Sequence, residues 1–209
     1  SIIHSISKWA RVVYDVRRLF EYTAAAFRYA QTGRPGPVYL EIPIDVLYQE
    51  CEEEEVALGS FGPQAKPGAE PERIRRAVDL LAQAQRPLLV VGSGVWFSQA
   101  FEELRRFVEL IKIPTFTMGM GRGSLADDHP YCFGIASPLA PNACRAAFSQ
   151  TDLLLALGVR LSYYSGFVRA LNPEAQVIQV DIEGEEIGRN RRVELGIVGD
   201  AGTVLAQLS

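Results

Sequence analysis

A doubly wound α/β fold, Rossmann-like, with a parallel sheet covered by helices on both faces, is predicted for this sequence by two observations. The runs PLLVV (Pro87–Val91) and DLLLAL (Asp152–Leu157) are apolar on both sides of the chain, as strands buried on both faces must be. Strand-like and helical segments alternate beyond residue 71, and that alternation builds parallel sheets through helical crossovers.

The elements follow in order. From Asp15 to Gln31 the residues Val16, Leu19, Phe20, Thr23, Phe27 and Ala30 recur at helical spacing, and Gly33 marks a stop. The turn GRPGP leads to a short β-prone run, Val38–Ile42, which Pro43 ends. One such unit forms no core alone, so its partner strands are expected upstream of Ser1, and residues 1–47 read as the partial C-terminal end of a preceding α/β domain. Residues 48–71 read as a linker, with the acidic run Glu52–Glu55, Gly59, Gly62, Pro63, Pro67 and Gly68. The acidic run reads as a solvated stretch and not as a metal site, because consecutive carboxylates on an irregular chain do not converge.

Residues 72–209 then form the main domain. Helices are expected at Glu72–Gln83, Ser98–Ile111, Asn142–Ser149 and from Ala201, and strands at Pro87–Val91, Pro114–Thr117, Asp152–Leu157, Val177–Asp181 and Gly196–Val198.

Composition narrows the function. The 209 residues carry a net charge of −4, which lacks the basic footprint of nucleic-acid or anionic-membrane binders. No apolar run has the length of a membrane span. Cys51, Cys132 and Cys144 are odd in number, widely spaced and without a CxxC pair, so they read as reduced, mostly packed thiols of a cytoplasmic protein.

In a sheet of this kind ligands bind outside the carboxyl ends of the strands. Gly92, Ser93 and Gly94 follow the first long strand, where backbone N–H groups can approach a phosphate, or where the glycines merely permit a tight turn. Thr117 ends the next strand. Arg160 follows DLLLAL in GVR, placed either to clamp a diphosphate or to lie on the surface. Asp181, with Ile182 beside it, closes VIQVD, as a ribose acceptor or as a cap for the turn IEGEE. Asp200 ends the last strand, to touch an adenine or to cap the closing helix. The loop TMGMGRGSLADDHP has an Asp–His pair, but no serine in a nucleophile elbow, so its glycines read as letting it run close to an extended ligand.

The order of QTGRPGPVYLEIPIDV, RPLLVVGSG, IPTFTMGMGRG, DDHPYCFG, TDLLLALGVRL, VIQVDIE and EIGRNRRVELGIVGD resembles the thiamine-diphosphate-dependent superfamily, especially acetolactate synthase, oxalyl-CoA decarboxylase and 2-hydroxyacyl-CoA lyase. The resemblance implies the end of a pyrimidine-binding domain followed by the central domain, which in that family holds FAD, ADP or the nucleotide end of CoA. It implies thiamine diphosphate and Mg²⁺ in a homodimeric or homotetrameric parent enzyme. The family's activating glutamate and its GDG metal motif have no counterpart in these 209 residues, so the chain is expected neither to bind thiamine diphosphate nor to turn over substrate. After GVR, the residues Leu161, Ser162, Tyr163, Tyr164 and Ser165 replace the FDDR-like stretch of the flavin-binding synthases, which moves the expectation towards ADP, CoA or a vestigial site. Arg28, on the first helix, faces either the nucleotide or solvent.

Two other functions remain in view. One is a stand-alone adenine-nucleotide or flavin binding module. The other is a sirtuin-like NAD domain, disfavoured by the missing zinc cysteines.

Overall fold

The computed structural model describes residues 2–56, 65–137, 142–162 and 167–209. The chain divides into two compact units, Ser1–Ala65 and Lys66–Ser209.

The first unit begins with helix α1 (Ile2–Ile6) and strand β1 (Trp9–Val12), then helix α2 (Leu19–Gln31), strand β2 (Val38–Glu41) and the short helix α3 (Ile44–Leu47). Strands β1 and β2 pair in parallel, Trp9 against Val38 through Val12 against Glu41. One partner strand of β2, the strand β1, thus lies within the chain itself. The stretch KWARVVYD hides it, because the strand is only four residues long and carries the charged Arg11 within it. Helix α2 starts later than its pattern suggests: Asp15 accepts the Arg17 N–H at 3.0 Å and caps a 3₁₀ turn at Val16–Arg18 first. Its buried positions are Ala24 and Ala26, whereas Phe27 is about half exposed. Small residues let the helix lie close to the two strands, and Tyr29 stacks on Trp9 with ring centroids 5.5 Å apart. Arg28 is exposed. Glu52–Glu55 are exposed too, as expected of a solvated run, and the linker residues Gly59, Gly62 and Pro63 lie outside the described residues.

The second unit runs α4 (Pro71–Gln83), β3 (Pro87–Val91), α5 (Ser93–Ser98), α6 (Phe101–Ile111), β4 (Thr115–Thr117), β5 (Cys132–Ile135), α7 (Asn142–Gln150), β6 (Leu153–Leu157), α8 (Phe167–Ala170), β7 (Gln176–Asp181), β8 (Leu195–Val198) and α9 (Ala201–Leu208). The six strands form one parallel sheet of order β5-β4-β3-β6-β7-β8. The chain starts at the centre, winds out to β5, and returns to lay β6 beside β3. The winding direction reverses between β3 and β6, which is the switch point of a doubly wound sheet.

Two cores confirm why the strands are apolar throughout. Leu89, Val91, Leu155, Leu157, Ile178 and Ile197 face one layer with Leu104 and Phe107 of α6 and Val204 and Leu205 of α9. Leu88, Val90, Leu154, Ala156 and Val177 face the other, packed with Phe148 and Cys144 of α7. Alternate residues of one strand serve opposite layers, the period of two that a pleated strand dictates.

Three expectations are corrected here. The helix expected at Ser98–Ile111 begins at Phe101 as α6, and a separate helix α5 (Ser93–Ser98) precedes it, with Gln99 in a left-handed conformation (φ 56°) between the two. Strand β5 follows directly on the loop 117–130, a strand that Gly134 at φ +88° disguises. Asp152 precedes β6, and its carboxylate accepts the Gln85 and Arg86 N–H groups at 2.7 and 3.0 Å.

Candidate functional site

The candidate residues gather at the carboxyl ends of β3, β6 and β7, three neighbouring strands at and beside the switch point. Gly92 and Gly94 open α5 against Gly158. The Gly92 N–H donates to Leu157 O at 3.0 Å and the Gly94 N–H to Gly158 O at 3.1 Å. A Cβ on Gly92 would fall 2.4 Å from Gly158 O, and one on Gly94 2.6 Å from Gly158 Cα. Both amides are thus taken up by the neighbouring strand exit, which matches the tight-turn alternative and not the anion cradle. The glycines are needed for the close passage of two backbones, and Ser93 begins a helix of only six residues. Gly121 completes this floor, since a Cβ there would meet Val91 O at 2.4 Å.

Arg160 stands two residues beyond Gly158. Its side chain is about half exposed, and its Nε lies 3.6 Å from Glu186 Oε1. The Glu186 side chain is 10% exposed and also meets Arg189 Nη1 at 3.2 Å. A carboxylate so far out of water requires cationic partners, and it holds the two guanidinium groups in turn.

Asp181 is buried at the end of β7, where its Oδ1 accepts the Glu183 N–H at 3.0 Å and shapes the turn that follows. Ile182 beside it is half-buried. At the next tip the Gly199 N–H donates to Asp181 O at 3.0 Å, joining β8 to this edge.

Two expected residues are employed elsewhere. The buried Thr117 hydroxyl donates to Gly134 O at 3.3 Å, tying β4 to β5. Asp200 caps α9: its Oδ1 accepts the Thr203 N–H at 3.0 Å, the Thr203 hydroxyl at 3.2 Å and the Ser98 hydroxyl at 2.8 Å. His129 makes no pair with its neighbouring aspartates. Its Nδ1 accepts the Tyr131 N–H at 3.2 Å, its Nε2 lies 3.6 Å from Glu109, and Asp127 pairs with Arg122 at 3.0 Å. Tyr163, Tyr164 and Ser165 lie outside the described residues.

Sequence reasoning passed over Gln179 and Glu186. The visible signals were a single amide inside the apolar run VIQV, and a Glu–Arg pair three residues apart in EIGR.

Sheet order and crevice define a Rossmann-like α/β domain of the doubly wound class. The family model for the central domain of thiamine pyrophosphate enzymes matches residues 74–208, and the chain belongs to that family. Among curated proteins it is 40% identical over 189 residues to a probable acetolactate synthase large subunit of Methanocaldococcus jannaschii, covering 88% of this chain and 32% of that protein. It is 39% identical over 189 residues to an acetolactate synthase of Mycobacterium bovis, covering 88% of this chain and 30% of that protein. The chain thus spans about a third of the length of these relatives. The solved structure of benzoylformate decarboxylase from Polynucleobacter necessarius superposes with a TM-score of 0.81 at 20% identity, over 97% of this chain and 38% of that one, and shows the same fold.

Proposed function

We propose that the chain serves as the nucleotide-holding central part of a thiamine-diphosphate-dependent carbon–carbon lyase or synthase. The enzyme acts on 2-oxo or 2-hydroxyacyl substrates in the manner of acetolactate synthase, as a cytoplasmic homodimer or homotetramer. The reading rests on one observation: reversal of the strand order between β3 and β6 sets the glycine floor, Arg160 and Asp181 on the tips of three adjacent strands. An ADP, CoA or FAD diphosphate would lie over the floor of Gly92 and Gly94 against the Arg160 guanidinium, with its ribose towards Asp181 and Ile182.

No catalytic residue is assigned to this chain. Among the described residues no group of three or more His, Cys, Asp or Glu side chains converges on a metal position. Thiamine diphosphate and Mg²⁺ belong to the parent enzyme in this reading.

Calorimetric titration with ADP, CoA, FAD and inorganic pyrophosphate tests the reading. Loss of a charge-assisted contact costs about 1.5–3 kcal/mol, so Arg160→Ala should weaken binding roughly ten-fold to over a hundred-fold. Asp181→Ala should weaken the nucleotides and leave pyrophosphate, which has no ribose, unchanged. Failure of the wild type to bind any of the four, or an affinity unmoved by Arg160→Ala, would overturn it.

A further inference from the structure

Gln179 is fully buried in β7, between strands whose other side chains are almost all apolar. It lies on the face that carries Val177 and Asp181, since alternate residues of a strand share a face. A buried amide is costly unless every polar group finds a partner. Here each does. The Nε2 group donates to Val159 O at 3.4 Å and to Glu186 O at 3.1 Å, and Oε1 accepts the Gly188 N–H at 2.9 Å.

All three partners are backbone groups, and they belong to two loops. Val159 immediately precedes Arg160 at the exit of β6. Glu186 and Gly188 belong to the turn after β7, which also supplies Arg189. One side chain therefore sets the separation of the two segments whose own side chains meet in the contact of Arg160 with Glu186 at 3.6 Å. Packing alone does not call for an amide here, because leucine has a similar volume and would suit the apolar layer. What leucine lacks is the means of fixing two loops to one another.

We infer that Gln179 is a positioning residue of the strand-tip site: it fixes the distance between the exit of β6 and the turn after β7, and so presents Arg160 to the diphosphate of a bound nucleotide. The inference rests on the nucleotide reading above and adds to it a residue that never touches the ligand. Positioning acts through Arg160, so its loss falls on the diphosphate and not on the nucleoside.

The test uses the whole chain with pyrophosphate, ADP and adenosine as probes. Gln179→Leu should weaken pyrophosphate and ADP by roughly ten-fold, the size of one lost charge-assisted contact, and leave adenosine unchanged. In the Gln179→Leu background, Arg160→Ala should cost clearly less than it does alone, since a misplaced arginine has less to lose. An unchanged pyrophosphate affinity in Gln179→Leu overturns the inference. Equal losses for adenosine and pyrophosphate also overturn it, because they mean general loosening of the domain. If the wild type binds neither ADP nor pyrophosphate, the nucleotide reading itself falls and takes this inference with it. Should Gln179→Leu not fold, the wild type decides: on saturation with pyrophosphate, the Gln179 side-chain amide and the Gly188 N–H should shift in NMR spectra, and their silence overturns the inference.

Discussion

Gly94 and Gly158 meet backbone to backbone at the switch point: the N–H of one donates to the carbonyl of the other at 3.1 Å, and a Cβ on Gly94 would stand 2.6 Å from the Gly158 Cα. Neither backbone can retreat, since each continues directly from a buried central strand. Gly94→Ala should therefore destabilise the domain by about 1–3 kcal/mol through overpacking. Gly158→Ala should cost more, because its φ of +60° adds left-handed strain of about 1–2 kcal/mol. Gly123→Ala is the control. It shares the positive φ, at +82°, but a Cβ there meets nothing within 4 Å, so only the strain remains. Urea unfolding of the three variants gives the order; a Gly94→Ala variant as stable as the wild type would contradict the close passage.

The strands at this crevice were readable because their physics is local. PLLVV and LLLAL admit water on neither face, and few arrangements other than a covered parallel sheet accept such runs. The break between α5 and α6 was not readable. Gln99 and Lys112 both take left-handed conformations at helix ends, where glycine would have announced the stop. Strands β1 and β5 escaped because each is four residues long and only partly buried. For the site, Arg160 and Asp181 could be named from their places after strands. The roles of Gln179 and Glu186 depend on which loops the fold brings together, and spacing along the chain does not encode that. Asp200 and Thr117 show the converse: residues at strand tips whose side chains secure helix α9 and strand β5.

Ser124 is buried midway along the loop between β4 and β5, and its hydroxyl has no hydrogen-bond partner among the described residues. An unsatisfied buried hydroxyl costs about 1–3 kcal/mol, and removing it relieves that cost at the expense of very little volume. Ser124→Ala should raise stability by about 1 kcal/mol, or roughly 2–4 °C in Tm for a chain of this size. Thermal unfolding followed by circular dichroism measures it. A destabilised variant would mean that the hydroxyl has a bound partner in solution.

The three cysteines are unbonded, but their settings differ: Cys51 is exposed, Cys132 half-buried and Cys144 buried. Burial pushes the Cys144 thiol above its ordinary pKa of 9.0, with a backbone hydrogen bond at Ser137 opposing it. A raised folded-state pKa favours the protonated form, so the stability linked to this thiol is fully present below its ordinary pKa. It is lost as pH rises through the folded value. Alkylation at neutral pH should thus label Cys51 first and reach Cys144 only as the domain opens. Mass-spectrometric mapping against time would show the order, and early labelling of Cys144 would contradict its burial.

Asp200 and Asp181 end adjacent strands and look alike in sequence, but they should respond differently to substitution. Asp200 Oδ1 gathers the Thr203 N–H, the Thr203 hydroxyl and the Ser98 hydroxyl, and Ser98 in turn accepts the Gly202 N–H at 3.1 Å. Its work is to start α9 and to fasten that helix to the end of α5. Asp200→Ala should lower stability by about 1–2 kcal/mol, as loss of an N-cap does. Asp200→Asn keeps the acceptor oxygen and should stay within about 0.5 kcal/mol of the wild type, because asparagine caps about as well as aspartate. Neither the stability nor the ADP affinity of Asp200→Asn should change appreciably. On the nucleotide reading, Asp181→Ala should weaken ADP binding even under conditions in which the protein remains fully folded, because there its carboxylate would take the ribose. Paired denaturant titrations and calorimetry on the three variants separate the roles. Weaker ADP binding by a fully stable Asp200→Asn variant would make Asp200 a ligand contact after all.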